Sequence, residues 1–147
     1  MADPLVFSQR WKVRTYEVDE NGHVNNAVYL QWAEQLTAEH AEAAGFGREW
    51  SVGHDGAWFV RRHEIRYHRP ARRGDEVELT VRVVSVGGVR GSRRTEIRHA
   101  ASGQLLAEVA SDWVWVRLSD GRPSRVPPEI LAAFRVPGQE PMRTGRS

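Results

Sequence analysis

Apolar and polar residues alternate most regularly in the segment DEVELTVRVVSV, residues 75–86. One side of this segment is charged or polar, and the other consists of Val77, Leu79, Val81 and Val83. A period of two predicts a strand with one buried face. Similar segments predict four further strands, over residues 7–18, 57–70, 89–100 and 104–118. Gly87-Gly88 and the ASG tripeptide at 101–103 predict short turns between the last three strands.

A helical pattern separates the first two strands. The segment from about Ala27 to Ala44 holds good helix formers and no proline, and Gly45 follows it as a typical C-terminal stop. Its apolar positions recur every three or four residues and are Val28, Tyr29, Trp32, Ala33, Leu36, His40 and Ala44. A short helix beginning with proline is predicted over residues 127–134.

The order of these elements predicts the fold class. One strand, a long helix and four strands joined by short turns predict an α+β protein, with one long antiparallel sheet wrapped around a central helix. We expect residues 1–136 to form a single domain and residues 137–147 to form a flexible C-terminal tail. The last strand carries apolar groups on both faces, at residues 113–116, which favours a second sheet or subunit covering it.

Composition narrows the class of protein further. The 147 residues are 27% charged and 40% hydrophobic, as in soluble globular proteins. Cysteine is absent, which excludes disulfides, zinc–thiolate sites and thiol nucleophiles and fits a reducing compartment. The chain shows no secretory signal and no apolar run long enough for a membrane span. We therefore expect a cytoplasmic protein without a membrane partner.

The basic residues argue against a nucleic-acid partner. The net charge is +2, and Lys12 is the single lysine among many arginines. These arginines are spread along the chain instead of forming one basic stripe. Guanidinium groups suit carboxylates and phosphates, so a small anionic ligand stays open, although biased codon usage explains the arginines equally well.

The candidate chemistry lies in YEVDENGHVNN, residues 16–26, between the first strand and the helix. Asn21-Gly22 predicts a turn, and Asn25 or Asn26 is a plausible N-cap. The first amides of a helix carry partial positive charge and can bind an oxyanion, and Asp19 comes just before them. A carboxylate beside such donors suits acyl-transfer chemistry. Capping and turn formation alone would also select these residues.

Two stretches carry a family resemblance. YEVDENGHVNNAVYLQWAEQ resembles the motif of hot-dog-fold acyl thioesterases of the 4-hydroxybenzoyl-CoA thioesterase type, which include the YbgC-like and acyl-carrier-protein thioesterases. HRPARRGDEVEL resembles the strand, proline and Gly-Asp turn of the same family, although it is a weak motif alone. The resemblance covers roughly residues 7–118 and implies hydrolysis of an acyl thioester without a metal or cofactor.

The resemblance also implies roles for individual residues. Asp19 matches the catalytic carboxylate, which acts as general base or nucleophile. Asn26 matches the residue whose backbone N–H polarises the thioester carbonyl. Gly22 and His23 match positions that shape the loop, and Asn25 belongs to a pair that orients the acid or the water. His23 alone would equally suit a surface role.

Substrate contacts are implied less specifically. Tyr29 and Trp32 are expected to line the acyl pocket, although core packing would explain them too. The family is dimeric or a dimer of dimers, so a homodimer or homotetramer is expected, with residues 60–64 completing the partner's site. Candidates for contacts with the phosphates of CoA or of an acyl-carrier protein's phosphopantetheine are Arg90, Arg93, Arg94, Arg72 and Arg73, although solvated charges at strand edges would look the same.

Three alternatives stay open at this stage. Glu34 is a second candidate acid, because another group of hot-dog thioesterases uses a glutamate on the helix. A non-catalytic acyl-CoA-binding protein would keep the fold and the groove without hydrolysis. A hot-dog hydratase or dehydratase would need an acid and a histidine in a different local context. The acyl group is not specified by the sequence.

Overall fold

The computed structural model describes residues 3–138. Its strands and helices, in chain order, are β1 Val6–Lys12, α1 Asn26–Ala43, α2 Arg48–Gly53, β2 Gly56–Tyr67, β3 Glu76–Gly87, β4 Arg90–His99, β5 Leu105–Arg117 and α3 Pro128–Ala133. All strand pairs are antiparallel and form one sheet in the order β1-β3-β4-β5-β2. The predicted α+β class is therefore confirmed. Residues 139–147 of the predicted tail lie outside the described residues.

The main core lies between α1 and the sheet. The predicted inward set of β3 is buried, with Val77, Leu79 and Val81 fully inaccessible. These side chains pack against Tyr29, Trp32 and Leu36 of α1 in one apolar cluster. Burying a large apolar side chain contributes about 1.5–3 kcal/mol relative to leaving it in water, so this contact fixes α1 on the sheet.

Helix α1 begins and ends close to the predicted positions. The side chain of Asn25 accepts a hydrogen bond from Ala27 N, which makes Asn25 the N-cap. Gly45 has φ 89°, the left-handed conformation expected just after a helix. The buried face matches the predicted one except at Ala44, which is the exposed C-cap residue.

Two local predictions are wrong. Strand β1 ends at Lys12 instead of continuing to residue 18, because the chain turns into a 3₁₀ turn over Thr15–Glu17. The Glu17 carboxylate accepts a hydrogen bond from Arg14 N at 2.7 Å, which closes that turn. The loop predicted after α1 contains the short helix α2.

No helix within residues 3–138 has both the length and the apolar composition that spanning a bilayer requires.

A second apolar cluster lies where α3 packs against the sheet. Trp115 of β5 packs there against α3, in a group that also contains Leu5, Val83, Val126, Ile130 and Phe134. The chain thus covers one side of its own last strand at this point. A covering subunit is not needed to bury Trp115, which is 2% exposed.

Candidate active site

The loop that carries Asp19 is a small, closed hairpin. Val18 and Val24 form an antiparallel bridge at its base. Within it, Asp19 N donates to His23 O at 2.8 Å and Gly22 N donates to Asp19 O at 3.0 Å. Gly22 has φ 77°, a conformation that side chains other than glycine adopt at a cost. The Asn21-Gly22 turn is therefore confirmed, and its backbone geometry fixes where Asp19 lies.

The carboxylate of Asp19 is exposed but held in orientation. Its Oδ1 accepts hydrogen bonds from Asn21 N at 2.9 Å and from His23 N at 3.1 Å. No hydrogen bond from residues 3–138 reaches its Oδ2. One oxygen is thus used to position the group, and the other can accept a proton from water or attack a substrate.

The N-terminus of α1 presents an unpaired donor. Asn25 O accepts from Val28 N at 2.9 Å, and its side chain accepts from Ala27 N at 3.0 Å. The backbone N–H of Asn26 has no acceptor among the described residues. Tyr67 OH donates to Asn26 O at 2.9 Å, which ties β2 to the same residue. A free amide at the start of an 18-residue helix can bind an oxyanion.

Glu17 connects the Asp19 hairpin to the helix, and the sequence analysis missed this residue. Its side chain is 7% exposed and accepts from Trp32 Nε1 at 2.7 Å. Its backbone carbonyl accepts from Asn25 N at 2.9 Å, and Arg14 donates to its carboxylate as well. A charged group between strand and helix was the available signal, but its partner Trp32 lies 15 residues away in the chain and cannot be inferred from spacing.

The two stretches that carried the family resemblance meet in space. Val24 N donates to Ala71 O at 2.9 Å, and Arg73 N donates to Gly22 O at 3.0 Å. His23 forms an isolated bridge with Arg72. Arg72 and Arg73 therefore lie beside the Asp19 hairpin, and both are exposed.

Tyr29 and Trp32 lie in the main core, where each is almost fully buried. The Tyr29 hydroxyl accepts from Ala71 N at 2.9 Å. Burial raises the pKa of the Tyr29 phenol, partly offset by that hydrogen bond, so the phenol stays neutral. Neither residue borders the large cavity described next, and their contact with substrate stays a prediction.

A cavity of about 780 Å³ lies beside the C-terminal half of α1. Its wall is mostly apolar and is formed by α1, α2, α3 and the sheet, with Ala41, Phe46, Trp58, Val60, Val83 and Phe134 among its members. Ligand pockets commonly have volumes of about 300–1,000 Å³. Glu34 borders this cavity, so the second candidate acid lies away from the Asp19 hairpin.

The arginines that were predicted to contact phosphate occupy three different places. Arg93 borders the cavity, and its Nη1 contacts His40 Nδ1 at 3.0 Å. Arg94 faces a polar cleft on the other side of the sheet, with Glu64 and Glu108. Arg90 is exposed at the start of β4. The opposite end of β4, at His99, is the end that lies nearer the hairpin, because Ala100 N donates to Glu76 O close to the turn between Arg72 and Asp75.

The segment predicted to reach a partner's site, residues 60–64, lies in the edge strand β2. Phe59 and Val60 are exposed there to 51% and 45%. His63 Nδ1 bonds to Ser111 Oγ at 2.7 Å, whereas its Nε2 has no hydrogen bond and lies 3.9 Å from Glu34 Oε2. Strand β2 thus contacts α1 at Tyr67 and at His63, and its residue Val60 borders the cavity.

Comparisons with known proteins give a consistent result. Residues 13–134 match the model of the Thioesterase-like superfamily. The chain is 31% identical over 107 residues to the long-chain acyl-CoA thioesterase FadM of Escherichia coli K12, covering 73% of this chain and 80% of that protein. It is 28% identical over 128 residues to the acyl-CoA thioester hydrolase YbgC of Escherichia coli O6:H1, covering 86% and 95%.

The fold is also similar to solved structures. Slr0204, a 1,4-dihydroxy-2-naphthoyl-CoA thioesterase from Synechocystis, superposes with a TM-score of 0.82 at 20% identity, covering 92% of this chain and 99% of that one. At that identity the likeness concerns the fold alone. The chain spans about a third of the length of the chloroplast palmitoyl-acyl carrier protein thioesterase of Cuphea hookeriana, which it also matches.

Proposed function

The chain belongs to the Thioesterase-like superfamily, has the hot-dog fold and is a thioester hydrolase, and on this premise we propose that it cleaves an acyl-CoA at the Asp19 hairpin. The products are a carboxylic acid and the free thiol of CoA. The curated relatives FadM and YbgC, which this chain covers over most of their length, support CoA as the thiol carrier.

Asp19 is the proposed general base or nucleophile. As a base, its free oxygen accepts a proton from water while the water oxygen attacks the thioester carbon. Collapse of the resulting tetrahedral anion breaks the C–S bond, and the thiolate takes up the proton. The two amide hydrogen bonds to Oδ1 support this role, because they hold the carboxylate in one orientation without burying it.

Asn26 N–H is the proposed donor to the developing oxyanion. Its lack of any acceptor within residues 3–138 is the observation that carries the proposal, since its neighbours at the helix N-terminus are already paired. Glu17 holds the acid and this donor on one rigid unit, through bonds to Asn25 N and Trp32 Nε1. Losing one preorganised oxyanion donor typically costs about 10²–10³ in rate.

Arg72 and Arg73 are proposed to bind the phosphates of CoA. Both are exposed beside Gly22 and His23, next to the proposed catalytic carboxylate.

Two copies are proposed to associate along the edge strand β2, whose exposed Phe59 and Val60 would then be covered. Molar mass measured by light scattering tests the dimer, and a monomeric mass at micromolar concentration contradicts it.

The Asp19→Asn variant tests the mechanism. Its side chain is nearly isosteric and keeps an oxygen for the two amides, but it cannot accept the proton. We expect kcat for acyl-CoA hydrolysis, followed by thiol release, to fall at least about a hundredfold with an unchanged melting temperature.

Glu20→Gln provides the matched control, because Glu20 is an exposed acid in the same hairpin. It is expected to keep wild-type turnover. Full activity of Asp19→Asn would remove Asp19 from the mechanism. Saturable acyl-CoA binding by the wild type without hydrolysis above background would support the non-catalytic alternative instead.

A further inference from the structure

Arg93 is an unusual feature of an apolar cavity. Burial lowers the pKa of its guanidinium to about 10, so the group remains charged near neutral pH. It forms no ion pair with any residue in 3–138. Arg93 is half-buried and has neutral hydrogen-bond acceptors but no counter-charge, so its guanidinium is available to an anionic group that enters the cavity.

The protein satisfies only part of Arg93. Nη1 contacts Thr37 O at 3.5 Å and His40 Nδ1 at 3.0 Å, and the guanidinium lies 5.7 Å from the centre of the Phe134 ring. No hydrogen bond from Nη2 or Nε to a described residue is present. These two nitrogens are accessible to solvent. Among residues 3–138, His63 Nε2 is the single side-chain nitrogen or oxygen that is both buried and without a hydrogen bond.

His40 cannot supply the missing negative charge. Its Nε2 lies 2.9 Å from Pro4 O, so Nε2 carries the hydrogen and Nδ1 accepts from Arg93. Burial first, and the charge of Arg93 second, lower the pKa of His40, so the ring is neutral. Glu34 and Glu42 border the same cavity, but neither forms an ion pair with Arg93.

The position of Arg93 relative to the proposed chemistry is defined by α1. Thr37 follows Asn26 by eleven residues, which corresponds to about 17 Å along the helix. Over this distance α1 contacts β2, through Tyr67 at Asn26 and through His63 near Glu34, and Glu34 also borders the cavity. A long acyl chain whose thioester lies at Asn26 N–H would therefore bring its far end towards Arg93.

We propose that this cavity is the acyl pocket and that Arg93 binds a carboxylate at the distal end of the acyl group, so that the preferred substrates are the mono-CoA thioesters of dicarboxylic acids. The planar guanidinium offers its two unpaired nitrogens to such a group, with the geometry of a bidentate pair. The apolar wall accommodates the methylene chain between the two ends. This inference rests on the proposed thioesterase function at Asp19.

Pairs of substrates of equal chain length test the inference: adipoyl-CoA against hexanoyl-CoA, sebacoyl-CoA against decanoyl-CoA, and hexadecanedioyl-CoA against palmitoyl-CoA. For at least one pair, wild-type kcat/KM is expected to favour the diacid thioester at least about tenfold. In Arg93→Met that ratio should fall about tenfold or more. Because a ratio does not depend on the active fraction, partial unfolding does not imitate this effect.

Arg82→Met is the control, since Arg82 precedes the β3 partner of Arg93 and is exposed on the opposite face of the sheet. It should keep the wild-type ratio.

If Arg93→Met does not fold, Arg93→Lys keeps the charge without the planar fork and should lower the ratio less. A wild type that prefers the plain acyl chain at every length, or an unchanged ratio in the Arg93 variant, overturns the inference. Both outcomes leave the proposed function intact, which instead fails if no thioester is hydrolysed.

Discussion

The two ends of α1 are held in place by different interactions. At the N-terminal end, Glu17 accepts from Trp32, Asn25 accepts from Ala27, and Tyr67 donates to Asn26 O. These hydrogen bonds fix the hairpin, the helix start and β2 relative to one another. At the C-terminal end, aromatic rings pack around His40, which stacks on Phe7 and meets Phe134 edge to face. Directional bonds thus hold one end, and shape-dependent packing holds the other.

The difference corresponds to the two tasks of a thioesterase. Chemistry requires atoms placed to a fraction of an ångström, which hydrogen bonds to a buried carboxylate provide. A pocket for an acyl chain requires volume and an apolar wall, and packing of rings and methylenes supplies both. The packed end also contains the charge of Arg93, to which we assign a role in substrate choice.

A substitution at the hydrogen-bonded N-terminal end of α1 is expected to give the largest change in stability. Glu17→Gln replaces an oxygen that accepts from Trp32 Nε1 or from Arg14 N by an NH₂ group, which sets two buried donors against each other. We expect the free energy of unfolding to fall by about 3 kcal/mol, because hydrogen bonds to a buried charge are lost and a donor is left unpaired. Urea denaturation measures this value.

The exposed acid in the same hairpin again serves as the reference. Glu20→Gln should change the free energy of unfolding by less than about 0.5 kcal/mol, as surface substitutions usually do. Equal effects of the two variants would show that the Glu17 hydrogen bonds do not stabilise the N-terminal end.

The packed end is tested by adding one methyl group. A Cβ at Gly56 would overlap the indole of Trp115, which is buried in the second apolar cluster. Gly56→Ala should therefore lower the free energy of unfolding by about 2 kcal/mol, within the usual range for overpacking.

Gly53→Ala is the matched variant, because a Cβ at Gly53 meets nothing within 4 Å. Its melting temperature should equal or slightly exceed that of the wild type. A wild-type melting temperature for Gly56→Ala would mean that this end of the sheet adapts to added volume.

The smallest expected effect is a pH dependence from His40. Its pKa in the folded protein is lowered from 6.5 by burial, and next by Arg93. Below about pH 6.5 the unfolded chain binds a proton that the folded protein does not, so the free energy of unfolding declines as the pH falls towards the folded pKa, and then levels off. Urea denaturation between about pH 7.5 and about pH 4.5 measures the decline, because this range begins above the ordinary histidine pKa of 6.5 and extends below it.

The His40→Gln variant lacks the titrating group. Its free energy of unfolding should therefore decline less than that of the wild type as the pH falls, although other groups still titrate. Parallel curves for the wild type and His40→Gln would contradict the assignment. The comparison isolates the electrostatic component of the packed end.

Local patterns in the sequence determined much of the fold and the location of the motif. The alternation in β3, the glycine after α1 and the Asn21-Gly22 turn are each decided within a few residues, because turn and cap conformations depend on their own hydrogen bonds. The fold class followed from the order of the predicted elements, and the family and its thioester chemistry followed from a contiguous motif.

Tertiary structure decided what depends on distant residues. Glu17 interrupts the expected continuation of β1, because its partner Trp32 lies on the helix. Arg93 lies in a cavity and Arg94 on the opposite face, although they are neighbours in the chain, since successive strand residues face opposite sides of a sheet. Which side is enclosed is fixed by α1, α2 and α3 together, and no local pattern contains that information.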